Sequence, residues 1–516
     1  MKLIFLIPAI LLVSLHTSAS NVFVAPNGSS KGDGTITKPY DLNTVLRGAS
    51  KVRAGDTVYL RGGNYLMPVP SNGFKVTLSG APDKSITFRS YTDEWAIIDG
   101  NLTGRSGCYN VTMFAVSGSY LTFRDFEITN TQTDNRVISV KGSNPCGRRG
   151  SALDDRGSFN KFINLVIHDT GQGITAWSNG QGGEYYGNIV YLNGWDAPDR
   201  PHGHNLYAQN TNRSKLLKHN VLLDPFGHIW QLYGSSAANV VNMTLDGNVF
   251  VNGSTTSGAG IMDNFVYKNN KHFYSRPTFG REPKANYKNA YITNNYFADG
   301  VTAADWTNFV FTGNTVFDNN PKGTLVSFIT AKNPATFARL DNNNYFRCFL
   351  TYPYWNFFAS AVGGRYAYDK VSGTQVKAYN YTGKSWKNDL GFDANSTFTD
   401  NPPGTNVVFV EPNLYQNGRG MVVIYNWELR NTVAVDLSSI LQTNDSFRIR
   451  NVQDYNADII YGKYTGASVS VEMKNRTQAV PVGYNRSKFY HNPLGENTFP
   501  KFGVFIVERT SKKNAG

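Results

Sequence analysis

One residue type recurs at the head of short apolar runs through the middle of the chain, and this repetition limits the fold more than any other feature. Asn164-Leu-Val-Ile, Asn188-Ile-Val-Tyr, Asn220-Val-Leu-Leu, Asn248-Val-Phe-Val, Asn295-Tyr-Phe, Asn314-Thr-Val-Phe and Asn344-Tyr-Phe share the pattern, with Asp125-Phe-Glu-Ile as an earlier copy. The successive starts lie 39, 24, 32, 28, 47, 19 and 30 residues apart. Such spacing brackets the coil of a solenoid, with insertions expected at 126–163 and 249–294. A parallel β-helix stacks equivalent positions about 4.8 Å apart and lets Asn amides bond along the stack, whereas a globular sandwich gives no reason to repeat one residue type in this way. The composition agrees: 49 Gly, 30 Tyr and 32 Phe beside 17% charged residues suit strands and turns, and exclude disorder and coiled coil.

The opening of the mature region runs Val22-Phe-Val-Ala-Pro-Asn-Gly, Gly32-Asp-Gly-Thr, Lys38-Pro-Tyr-Asp-Leu, then Ala54-Gly-Asp-Thr-Val-Tyr-Leu-Arg-Gly-Gly-Asn-Tyr65. This segment resembles the N-terminal cap and first coil of secreted right-handed parallel β-helix polysaccharide-active enzymes, the pectate-lyase-like superfamily that includes alginate lyases and chondroitinase B. The resemblance covers roughly Val22 to Asp400 and implies an all-β, right-handed parallel β-helix. It does not fix the reaction, because that superfamily also holds hydrolases, epimerases and adhesins. The basic catalytic signature of chondroitinase-B-like lyases and the multiple-aspartate pattern of polygalacturonases are both missing, so the subfamily stays open.

After Asp400 the Asn pattern stops. Asn401-Pro-Pro-Gly404 punctuates the chain before runs such as Val407-Val-Phe-Val, Met421-Val-Val-Ile-Tyr and Val504-Phe-Ile-Val, whose alternation predicts an antiparallel β-sandwich. It is expected to pack on the end of the solenoid or extend from it, covering an open sheet edge. Met1 to Ser20, with Lys2, the apolar run Leu3 to Leu15 and the small residues Thr17 to Ser20, reads as a secretory signal peptide. The expected organisation is thus 1–20 signal peptide, 21–400 β-helix and 401–516 sandwich, in a secreted monomer without a membrane span. Three cysteines permit one bridge, with Cys108 to Cys146 the pairing expected and buried free thiols the alternative.

A formal charge of +13 calls for an acidic partner. Export argues against nucleic acid and for a uronic-acid polysaccharide. Three coils align after the Asn motif: Gly171-Gln-Gly-Ile-Thr-Ala-Trp-Ser, Gly203-His-Asn-Leu-Tyr-Ala-Gln-Asn and Gly227-His-Ile-Trp-Gln-Leu-Tyr-Gly. In this register Ile174, Leu206 and Trp230 form one core column and Ala176, Ala208 and Leu232 another. The outward columns are then Thr175, Tyr207, Gln231 and Trp177, Gln209, Tyr233, a polar and aromatic ladder able to grip successive sugars. The histidines His202, His204 and His228 cluster beside it, offering groups that titrate near neutrality, with Tyr207 as a proton donor or base. The structural alternative is that His204 and His228 cap their strands. Arg200 and the basic, aromatic segment Phe265 to Asn289, with Lys268, Lys271 and Arg276, are expected to line the groove.

Hydrolysis of a glycosidic bond normally uses two carboxylates. The outward ladder shows none in these three coils, and Asp196, Asp199 and Asp224 fall on turns. β-Elimination from a uronic acid needs instead a carboxylate binder, a base for the C5 proton and an acid for the leaving oxygen, and Arg, Gln, His and Tyr meet those needs. The expected function is therefore a polysaccharide lyase with His204, Tyr207, His228 and His202 catalytic and Trp177, Arg200, Gln209, Gln231, Tyr233, Lys268, Lys271 and Arg276 binding substrate. The alternatives are a glycoside hydrolase using Asp196, Asp199 or Asp224, and a non-catalytic glycan-binding protein. No metal ligand is assigned and no cofactor is required, with carboxylate-held calcium the alternative.

Overall fold

A computed structural model describes residues 19–68, 73–102, 112–281, 286–318, 323–330, 333–347, 357–360 and 378–510. Three parallel sheets run side by side, and within each the strands follow one another in chain order, so every coil adds one strand to each face. The first sheet has 12 strands, from Asn21–Val24 to Ala338–Asp341, and the second has 12, from Gly63–Leu66 to Thr397–Thr399. The third has seven strands, from Phe74–Val76 to Ser254–Gly258, and is continued by a five-stranded sheet beginning at Thr278–Phe279. This is the parallel β-helix the Asn repeat predicts.

The Asn stack is real but its members differ from the sequence pattern. Asn188, Asn220, Asn248, Asn270, Asn295, Asn314 and Asn343 are all buried. Each side-chain amide up to Asn314 donates to the next Asn Oδ1, for example Asn220 to Asn248 at 2.8 Å and Asn248 to Asn270 at 3.0 Å, and Asn343 ends the stack by donating to Asp393 at 2.9 Å. The same Oδ1 atoms accept main-chain N–H groups, as from Asn220 to Asn248 at 3.0 Å. Buried amides left unpaired would be costly, and here each is paired within the stack. Asn270, which heads the polar run Lys271-His272 and so does not show the apolar pattern, divides the 47-residue gap into steps of 22 and 25. The expected insertion at 249–294 is therefore two ordinary coils. Asn164 and Asp125 sit one position earlier, at φ 53° and 59°, in the left-handed slot that Gly187 and Gly247 fill in other coils. Asn344 lies one position later and is exposed. Asn suits both slots because its amide tolerates the left-handed backbone and can also ladder.

From Val407 the chain forms a five-stranded antiparallel sheet, ordered Val407–Pro412, Arg419–Tyr425, Phe502–Arg509, Ser446–Asn451 and Ile459–Lys463, with a two-stranded sheet against it. One face packs Val422, Ile424, Phe505 and Val507 on Val433, Val435 and Val471. The other face does not cap the solenoid end. It lies along the side of the second sheet, where Met421, Val423, Tyr425, Val504 and Ile506 cover the outward valines and isoleucines Val166, Ile189, Val221 and Val249. The middle strands Ile189–Tyr191, Val221–Leu223 and Val249–Val251 are apolar throughout because both of their faces are buried. The segment after Val471 then straps across the coils: His491 holds the buried Asp196 at 2.8 Å, and Val482 N–H donates to the buried Asp169 at 2.8 Å.

Among the described residues no helix is long and apolar enough to cross a membrane. Residues 1–18, which hold most of the expected signal peptide, lie outside the described residues. Cys146 is disulfide-bonded, and the other two cysteines, Cys108 and Cys348, also lie outside the described residues.

Candidate functional site

Five strands of the third sheet build the site: β1 (Ser151–Asp155), β2 (Gln172–Ala176), β3 (His204–Ala208), β4 (His228–Tyr233) and β5 (Ser254–Gly258). Their register pairs Asp154 with Thr175, Thr175 with Tyr207, Tyr207 with Gln231 and Gln231 with Thr256. Ile174, Leu206 and Trp230 fill the core, as do Ala176, Ala208 and Leu232. The aligned columns therefore face as the sequence reading placed them, and extending the alignment one coil back adds Asp154 to the outward column.

His204 and His228 pair across β3 and β4, with ring centroids 5.3 Å apart and planes 22° apart. Close stacking is possible because Gly203 and Gly227 precede them. Gly203 has φ +89°, and a Cβ there would lie 2.3 Å from the Gly171 carbonyl oxygen. A register shift between His228 and Trp230 re-aims His228, whose Nδ1 lies 2.6 Å from Ser254 Oγ. His204 Nδ1 accepts the main-chain N–H of His228 at 3.3 Å, which leaves the His204 proton on Nε2. Burial, with His228 and Arg200 nearby, pushes His204 down to about 3, and burial with Arg200 and Arg281 pushes His228 down to about 4. Both rings are neutral at ordinary pH.

Tyr207 stands 6.3 Å from the His204 ring and 5.7 Å from the Trp177 ring. Burial raises its hydroxyl, which donates to the Tyr233 carbonyl at 3.1 Å. Trp177 donates its indole N–H to Asp154, and Arg156 lies 4.9 Å over its ring. Burial raises the Asp154 carboxyl against the opposing pull of Arg156 and Trp177. Beneath this face the buried Lys215 donates to the carbonyls of Trp177 at 2.7 Å and Gln209 at 2.8 Å, fixing the ends of β2 and β3. Burial lowers this ammonium to about 8.

Other expected residues lie elsewhere. His202 is buried, stacked on Trp195 at 5.3 Å and held by Asp199 at 3.1 Å, so its ring supports the turn. Gln209 is also buried and donates to Tyr207 Oη at 3.2 Å and the Tyr233 carbonyl at 2.9 Å, which makes it a brace for Tyr207. Lys268 is on the first sheet, 3.7 Å from Asp246. Lys271 is buried against Glu411 of the C-terminal sheet. The described residues of Phe265 to Asn289 supply short strands on more than one sheet, so among them no basic groove wall forms as a unit. Arg276 does reach the third face, but its guanidinium is held by Thr302 and Ser327 at 3.1 Å each. Arg200 is exposed on the turn before β3 and donates to Ser143 Oγ at 3.0 Å. Of the carboxylates considered for hydrolysis, Asp196 and Asp224 are fully enclosed and Asp199 is exposed on the turn.

No group of three or more His, Cys, Asp or Glu among the described residues is placed to hold a metal ion. Asp154 and Asp155 are adjacent but face opposite sides of β1. Asp155 is enclosed against Tyr185 and Asn160, so the two cannot converge on calcium.

Residues 22–206 match the family model described as Pel9A-like, right handed beta helix region. Over these residues the chain is similar to the Pel9A-like β-helix region. The Pel9A-like region ends inside β3, so its match includes β1, β2 and the turn carrying Arg200. The chain is 37% identical over 82 residues to pectate lyase PEL9 of Emericella nidulans, which is 16% of this chain and 19% of that protein. It is 31% identical over 134 residues to the uncharacterized protein YwoF of Bacillus subtilis, covering 24% of this chain and 26% of that protein. Among solved structures, the GH136 lacto-N-biosidase from Eubacterium ramulus superposes with TM-score 0.40 at 14% identity, covering 63% of this chain and 64% of that one.

Proposed function

We propose that this protein is a secreted enzyme that cleaves an acidic polysaccharide by β-elimination on the outward face of β1 to β5. The leader pattern of residues 1–20 supports export. One observation carries the reaction: two neutral, stacked imidazoles and a neutral tyrosine share one outward face beside Trp177 and Arg200, with Asp154 the one carboxylate in the ladder.

Each group has a role in that chemistry. Trp177 and Tyr207 offer ring faces to sugars. Arg200 neutralises the uronate carboxylate and the Nε2–H of His204 donates a hydrogen bond to it, which acidifies the C5 proton. His228, with Nδ1 on Ser254, presents Nε2 as the base that takes this proton. Tyr207 protonates the departing glycosidic oxygen. Burial, with the field of Arg200 and Arg281 added to it, keeps His228 unprotonated, and that added field is offset when the anionic substrate arrives, so the base strengthens once substrate is bound.

Asp154 favours a second reading. Its carboxyl is raised by burial, as a general acid for hydrolysis requires, with Trp177 as its neighbour. A partner carboxylate across the groove is not found among the described ladder residues, which ranks hydrolysis second. Incubation with pectate, alginate, hyaluronan and chondroitin, following ultraviolet absorbance of the unsaturated product and new reducing ends in parallel, separates the two. Absorbance with reducing ends supports elimination, and reducing ends alone support hydrolysis.

A further inference from the structure

We propose that the cleft between the solenoid and the C-terminal sheet is a second glycan site, which takes the carboxylate of an acidic oligosaccharide on Arg89, Arg448 and Arg450 with a sugar ring on Trp95. The cleft has a volume of about 500 Å³ and lies at the corner of the first and second sheets, away from the third-sheet face. The ligand class rests on the acidic-polysaccharide reading; the site itself does not depend on the catalytic roles.

The charge balance carries the inference. Glu508 is the carboxylate at the centre of the C-terminal wall, and three guanidinium groups converge on it: Arg419, Arg448 at 2.6 Å and Arg450 at 3.3 Å. One negative charge therefore faces three positive ones, in a place where Arg419 and Glu508 are both buried. Arg448 is 31% and Arg450 14% exposed, so both guanidinium groups are open to an anion entering the cleft. On the solenoid wall Glu94 is already engaged by Arg61 at 2.8 Å, and Asp125 by Arg124 at 2.7 Å as well as by Arg89 at 3.2 Å. With Asp93 also on the wall, the lining carries five arginines (Arg89, Arg419, Arg448, Arg450 and Arg509) against four acids (Asp93, Glu94, Asp125 and Glu508), so the surplus is one positive charge.

Two guanidinium nitrogens beside the cleft are enclosed. Arg419 Nη2 and Arg89 Nε are buried and have no hydrogen-bond partner among the described residues. Guanidinium forks match a carboxylate in two parallel bonds, which suits a uronate. Trp95, 38% exposed at the rim with its indole N–H tied to Glu127 at 2.8 Å, supplies a fixed apolar plate of the sort on which sugar rings stack. Partly exposed guanidinium groups facing the cleft and an adjoining ring plate together distinguish a glycan site from a simple structural ion network.

The test is calorimetric titration of the full-length His228→Ala protein, which limits turnover, with short oligogalacturonate, oligomannuronate, a neutral xylo-oligosaccharide and sodium phosphate. The expected result is a binding event for an oligouronide that Arg89→Ala, Arg450→Ala and Trp95→Ala each weaken by about ten-fold or more, with no such event for the neutral sugar. Arg89→Ala and Trp95→Ala leave the Glu508 cluster intact, so they remain informative if Arg450→Ala fails to fold. Binding that these variants leave unchanged, or no oligouronide binding, overturns the proposal. Phosphate binding as tight as the oligouronide and indifferent to Trp95→Ala also overturns it, in favour of an inorganic-anion site. Oligouronide binding lost in the cleft variants of a protein that never yields product upholds the site while the lyase reading fails.

Discussion

His204 lies under His228 with ring centroids 5.3 Å apart, and its Nδ1 accepts the His228 main-chain N–H at 3.3 Å. This contact fixes the tautomer of the lower ring and leaves the upper ring, braced by Ser254, as the base. Because His228 is pushed down to about 4, it is ready to accept a proton at any pH above that value. The acidic limb of kcat/KM should therefore fall near pH 4, and a free-enzyme limb near the ordinary imidazole value of 6.5 would contradict the assignment. A pH–rate series with the preferred polysaccharide measures this.

Asp154 distinguishes the two reactions. If elimination is right, its carboxyl only orients Trp177, and Asp154→Asn should lower kcat/KM by less than about ten-fold. Loss of a general acid would cost about a hundred-fold or more. Product formation by the variant at its pH optimum decides between them.

The buried Asn stack should dominate solenoid stability. Asn248→Ala removes the acceptor for the Asn220 N–H and the donor to the Leu217 carbonyl, leaving both enclosed and unpaired. A loss of about 2–5 kcal/mol is expected in urea unfolding. Asn344→Ala, at the exposed neighbouring position, should stay within about 0.5 kcal/mol.

That contrast also explains how far the sequence could be read. The coil and the strand register were legible because apolar pairs such as Ile174 with Leu206 repeat on one face, and the outward column followed from alternation. Which Asn of a pair enters the stack was not, since Asn164 and Asn188 look alike in sequence yet occupy a left-handed turn and a buried amide site respectively. Asp154 could have been found from Ser151-Ala-Leu-Asp-Asp155, which repeats the register of the next coil. Lys271 could not have been foreseen as buried, because its partner Glu411 lies 140 residues away in another sheet.

A second buried network makes stability depend on pH. His168 sits between Asp169 at 2.7 Å and Glu127 at 3.0 Å, and although burial opposes its charge, these carboxylates push it up to about 9 from 6.5. The folded state thus holds a proton that the unfolded chain releases: the stabilisation is complete below about 6.5 and is lost as pH rises through about 9. Asp224, pushed up to about 7 from 3.8 by burial, loses its contribution in a lower window. Melting temperature should fall between pH 6.5 and 9 in the wild type. His168→Gln should flatten that fall while costing about 3–5 kcal/mol at neutral pH.

The central assignment is that His228 removes the C5 proton of a uronic acid while Tyr207 protonates the leaving oxygen. The most direct measurement is ultraviolet absorbance of the product from each acidic polysaccharide, with wild type, His228→Ala and Tyr207→Phe compared at equal folded concentration. Unsaturated product from the wild type, reduced about a hundred-fold or more in each variant, is the predicted result. Unsaturated product formed at wild-type rates by the variants, or reducing ends without absorbance, would contradict it.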